Sequence, residues 1–201
     1  MRWFCLLLSG LLLAGCFTQG KRGGDMSMAI FDFGVPATRL LDKPRPLVVA
    51  VEVRAPLWFD SLGIDYRLAY ADPAHLREYA RARWAAPPAQ LIQQRLIEQL
   101  ALVPAGQSRA DCVLRLDVAE FSQTFVRPET SFGVLQVRAQ WLDRSRRSLA
   151  VLDLKIEKPA PTSDSRGGVS ALTASVEQLA LDLLAWEKSL AANGKAGGCA
   201  G

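Results

Sequence analysis

The chain has 201 residues, half of them hydrophobic and 22% charged, with 24 basic and 20 acidic side chains giving a net charge of +4. That is enough apolar material for one buried core, which excludes a disordered or fibrous chain. The positive excess is small and scattered, which excludes a nucleic-acid surface built as a basic stripe with stacking aromatics.

Met1-Arg2 places one positive charge ahead of the apolar run Trp3 to Leu13. The run has the length of a signal-peptide core and is shorter than the about 20 residues a membrane-spanning helix needs. Leu13-Ala14-Gly15-Cys16 follows and resembles the lipobox of bacterial lipoproteins. The resemblance implies cleavage before Cys16, diacylglyceration of its thiol and acylation of the new amino group, so residues 1–15 are read as a signal peptide and Cys16 as the lipid anchor. Phe17 stands where Gram-negative lipoproteins kept at the inner membrane commonly carry Asp, which implies the periplasmic face of the outer membrane. Residues 16–26, polar and glycine-containing, read as a flexible tether.

Met28 to Gly34 and the valine-rich Pro46 to Val53 read as strands, joined by a proline-rich loop over Pro36 to Pro46. Gly63 to Tyr70 and Leu76 to Trp84 flank Ala71-Asp-Pro-Ala74 as a β-hairpin, with a helix over 75–84 as the alternative. Pro88 starts a helix whose Ile92, Leu96, Leu100 and Val103 share one face, ending near Pro104-Ala-Gly106. Cys112 to Phe125 alternates and then changes parity, which predicts a bulge near Ala119-Glu120. Leu135 to Trp141 and Leu152 to Ile156 form a hairpin around the charged turn Asp143 to Ser148, and Pro159 to Gly168 is a loop. From Val169 to Leu190 an apolar stripe recurs at three- and four-residue steps, the signature of an amphipathic helix. The sum is one α+β domain over 27–192: a mostly antiparallel sheet of about six to seven strands, with two helices packed on one face. Residues 193–201 read as a flexible tail.

Catalytic and metal-binding patterns are sparse. The single histidine, His75, lies in a polar stretch; no Gly-x-Ser-x-Gly elbow presents a serine, no cysteines are spaced for zinc, and no phosphate-binding glycine loop is present. The expectation is therefore a non-enzymatic protein with no metal and no cofactor; a hydrolase centred on His75 is the reading set against it. Cys5 leaves with the signal peptide and Cys16 carries lipid, which leaves Cys112 and Cys199 in an oxidising compartment. They either bridge, or Cys112 stays a lone buried thiol.

Aromatic and arginine residues concentrate between Pro56 and Pro88, outside the long regular elements. They either cap one end of the core or form an interface, where Trp, Tyr and Arg carry much of the binding energy.

The order of these pieces resembles the ABC-type transport auxiliary lipoproteins, the PqiC-like family. The matching pieces are Cys16, Val48 to Val53, Pro56 to Asp60, the trio Ile64, Tyr66 and Arg67, then Tyr79, Trp84, Pro88, Phe121 to Phe125 and Ala171 to Trp186, together covering about residues 28–190. One departure is Phe31-Asp-Phe33 in the first strand, where many members have Tyr-x-Leu. The resemblance implies an auxiliary component of a system that moves lipids or other hydrophobic cargo between the inner and outer membranes. Its partners would be an MCE-domain protein and the permease and ATPase subunits of an ABC transporter, with a homo-oligomer compatible with the family. Trp58, Phe59, Tyr66 and Arg67 are the candidate partner contact. The alternative function is a stand-alone lipid- or small-ligand-binding envelope lipoprotein.

Overall fold

The computed structural model describes residues 27–35, 38–41, 43–106, 109–195 and 199. The expected signal peptide, the tether and Cys16 lie outside them. Among the described residues the elements are β1 (Ala29–Phe31), β2 (Val49–Arg54), a 3-10 turn (Leu57–Phe59), β3 (Gly63–Leu68), β4 (Asp72–Trp84), α1 (Pro88–Leu100), β5 (Val103–Pro104), β6 (Cys112–Arg127), β7 (Thr130–Asp143), β8 (Ser148–Pro159) and α2 (Ser165–Ala192). The α+β class and the two helices are as expected, but the sheet has eight strands and is mixed.

The long pairings, β3 with β4, β6 with β7 and β7 with β8, are antiparallel, whereas β1 with β4 and both β2 and β3 with β6 are parallel. β6 organises the sheet. One edge carries β7 from Cys112 to Arg127; the other takes β2 beside Cys112–Asp117 and β3 beside Gln123–Phe125. The register of β6 shifts between Val118 and Glu120, so the expected bulge is present. It lets Leu116, Val118 and Phe121 all reach the core despite their change of parity.

α1 opens on Pro88, whose missing N–H would be unpaired in any first turn. It buries Ile92, Leu96 and Leu100, then stops three residues earlier than its apolar repeat suggests. Ala101 turns left-handed (φ 49°), and Val103–Pro104 pairs with Ala50 and Val51 as a two-residue edge strand, a position that tolerates proline. α2 starts at Ser165, four residues ahead of its apolar stripe. Asp164 caps it by accepting from the Gly167 N–H at 2.9 Å, a bond that with the Thr162 hydroxyl holds the Asp164 carboxyl below the usual carboxylate range.

Both helices cover one face of the sheet and share one core with it, centred on Trp84, Trp141, Phe121, Leu116 and Leu179. α2 lies very close to β7: a Cβ on Gly133 would fall 2.6 Å from the Ala171 carbonyl carbon and the Leu172 nitrogen. The Ser175 hydroxyl donates to the Gly133 carbonyl across the same contact. The opposite face carries no helix and is laced with ion pairs between neighbouring strands, Glu52 with Arg115 and Arg138 with Asp153.

Cys112 and Cys199 form a disulfide. The bridge decides the alternative left open by the sequence, and it pins a residue of the expected flexible tail into the core.

Candidate functional site

The candidate contact begins where β2 ends. Pro56 is extended (φ −60°, ψ 154°), and the next three residues close a 3-10 turn with the Phe59 N–H donating to the Pro56 carbonyl at 2.8 Å. The turn sends consecutive side chains in opposite directions: Leu57 is 87% exposed and Trp58 65%, while Phe59 is 1% exposed. The Gly63 N–H donates to the Ser61 hydroxyl, and the Trp84 N–H to the Leu62 carbonyl, so the loop re-enters the sheet as β3.

On β3 the side chains alternate between the two faces of the sheet. Tyr66 stacks on Tyr79 with ring centroids 4.6 Å apart and meets the Phe125 edge at 6.0 Å. The Tyr79 hydroxyl donates to Gln123 Oε1 at 2.7 Å, and Gln123 in turn donates to the Ser131 hydroxyl. Burial, with the neighbouring Tyr66 and Asp164, pushes the Tyr79 hydroxyl pKa up. Arg67 and Asp65 face the helix-free side. Arg67 pairs with Glu120 at 3.1 Å, and the Ser122 hydroxyl donates to the same carboxylate. Asp65 is nearly buried, and that burial, together with the charges of Glu78 and Glu120, pushes its pKa to about 7 against the pull of Arg67.

The four candidate residues therefore occupy four different environments. Trp58 projects into solvent, Phe59 is part of the core, Tyr66 is half-buried in an aromatic stack and Arg67 is tied into an ion pair. Leu57, within the same Pro-Leu-Trp-Phe run but not singled out by sequence, is the most exposed apolar side chain of the loop. Trp84, by contrast, is a core residue with Phe33 and Phe121 around it, so that part of the aromatic concentration caps the core. Asp65 and Glu120 gave no sequence signal, because carboxylates in alternating strands ordinarily face solvent.

His75 is exposed on β4. Among the described residues no group of three or more His, Cys, Asp and Glu is arranged to hold a metal ion, and no helix is long and apolar enough to cross a membrane.

No family model matches the sequence, and no curated protein matches it. Solved structures do. Protein XCC0632 from Xanthomonas campestris, described under the family designation DUF330, superposes with a TM-score of 0.66 at 20% identity over 79% of this chain and 93% of that one. A second, described only as an uncharacterized protein, has a TM-score of 0.60 at 13% identity over 78% and 96%. At these identities the likeness shows a shared fold. Lipoprotein GNA1162 from Neisseria meningitidis is matched over 67% of this chain and 99% of that one at 18% identity, but its TM-score of 0.27 is too low to carry an argument.

Proposed function

We propose that the chain is a lipid-anchored envelope protein without catalytic activity. It serves as an auxiliary component of an ABC/MCE-type system that moves lipids or other hydrophobic cargo between the inner and outer membranes, held by Cys16 to the periplasmic face of the outer membrane. The observation that carries this reading is the fold shared with the DUF330 protein over nearly all of its length, DUF330 being PqiC-like. It joins to the lipobox and to the ordered motifs from Val48 to Trp186. The Cys112–Cys199 disulfide supports an oxidising compartment. Leu57 and Trp58 form the partner contact, with Phe59 as their buried foot and Tyr66 and Arg67 holding the adjoining strand.

Two measurements test it. Labelled palmitate should enter the wild-type chain and not Cys16→Ala. Affinity capture of the tagged chain from a detergent extract should recover an MCE-domain protein or an ABC permease; recovery of neither overturns the transport role.

A further inference from the structure

We infer that the groove between loop residues 40–41 and 43–46 and the C-terminal half of α2 binds the acyl chain of a single-chain anionic amphiphile. The groove encloses about 440 Å³, within the range of about 300–1,000 Å³ usual for small-molecule sites. Its walls are apolar, Leu40, Pro44 and Pro46 on one side, Leu184 and Ala191 on the other, and Leu40 and Leu184 also pack on the main core, so the floor is continuous with it.

The walls are built before any ligand arrives. The Leu40 N–H donates to the Gln99 carbonyl at 2.9 Å, and Arg45 Nε donates to the Leu100 carbonyl at 2.8 Å. The Arg45 guanidinium also forms a two-pronged pair with the Glu187 carboxylate, both side chains being almost fully buried. That pair cancels charge at the base of the groove. At its rim Lys43 and Lys188 are exposed, and neither makes an ion pair among the described residues. An apolar trough with a neutral base and a cationic rim complements a hydrocarbon tail with a negative head. Fatty acids and anionic lysophospholipids share that chemistry. The inference places a ligand on this chain itself and does not depend on the transport partners.

The test uses the chain from residue 16 onward carrying Cys16→Ser, purified under oxidising conditions, so that neither covalent lipid nor the apolar run Trp3 to Leu13 competes. Palmitate, lysophosphatidylglycerol, neutral monopalmitoylglycerol and the cationic cetyltrimethylammonium ion are titrated below their micelle concentrations. Palmitate or lysophosphatidylglycerol should bind saturably at one site, and the tighter of the two names the source. Lys43→Glu with Lys188→Glu should weaken that binding at least tenfold while leaving monopalmitoylglycerol binding and the unfolding midpoint unchanged. Leu184→Trp, which fills the trough, should abolish it. The inference is overturned if neither anionic probe saturates, if the cationic probe binds as tightly as the anionic ones, or if Leu184→Trp binds like wild type. A chain that captures transport partners but no amphiphile fails this inference alone; one that binds amphiphile but captures no partner fails the transport reading alone.

Discussion

Cys112, the first residue of β6, is bonded to Cys199, 87 residues further along the chain, with their Cα atoms 5.7 Å apart. The bridge closes a loop that contains β7, β8 and α2, so it constrains the unfolded chain more than a short loop would. Replacing both cysteines by serine should lower stability by about 4.6 kcal/mol in the chain-entropy treatment. The check is urea unfolding with and without dithiothreitol: reductant should shift the wild-type midpoint down and leave the double variant unmoved.

Asp65 sets a pH dependence. Its native pKa, about 7, lies above its value of 3.8 in the absence of the fold. The native state therefore holds the proton more tightly than the unfolded state, and the stabilisation is complete below about pH 4 and lost as pH rises to about 7. Asp65→Asn should remove that slope and leave the variant more stable than wild type at pH 8, by up to about 4 kcal/mol at 1.36 kcal/mol per pKa unit. Unfolding midpoints measured from pH 4 to 8 decide it; parallel curves for the two proteins would show that Asp65 is not held in this way.

Gly133 marks a close approach of the α2 backbone to the sheet. A methyl group there meets helix backbone at 2.6 Å, which no side-chain rotation relieves. Gly133→Ala should cost about 1–3 kcal/mol or more through displacement of the helix, read by thermal unfolding and by faster amide exchange around Ala171–Val176.

Trp58 and Phe59 are neighbours with opposite consequences. Trp58→Ala should change stability by no more than about 0.5 kcal/mol, as for other exposed sites, and should reduce recovery of the transport partner. Phe59→Ala should cost about 3–5 kcal/mol because it opens a cavity in the core. Chemical unfolding measured beside affinity capture separates the two effects, and undiminished capture by Trp58→Ala would remove this loop from the interface.

The buried pair Arg45–Glu187 should respond differently to single and double replacement. Glu187→Gln leaves the Arg45 guanidinium buried without its counter-charge, a loss of about 3–5 kcal/mol. Arg45→Met with Glu187→Leu should recover most of it, which a double-mutant cycle measures.

Local chemistry was enough to place most elements. The alternation in Cys112 to Phe125, the parity change at Ala119, the prolines at 87 and 88 and the apolar stripe from Val169 to Leu190 each act over a few residues, and each reappears in the structure. The lipobox at Cys16 is equally local. What depended on distant neighbours was invisible in the string. Val103–Pro104 continues the helical spacing of α1 but becomes strand because β2 offers a free edge beside it. Trp58 and Phe59 are both large aromatics, and only the 3-10 turn between β2 and β3 sends one outward and the other into the core. Parallel pairing of β2 and β3 with β6, the union of Cys112 with Cys199, and the groove between loop residues 40–41 and 43–46 and α2 all join residues dozens of positions apart. Composition and periodicity carry no record of which partner a strand edge, a thiol or an apolar face will meet, because that choice is made by packing the whole chain around one core.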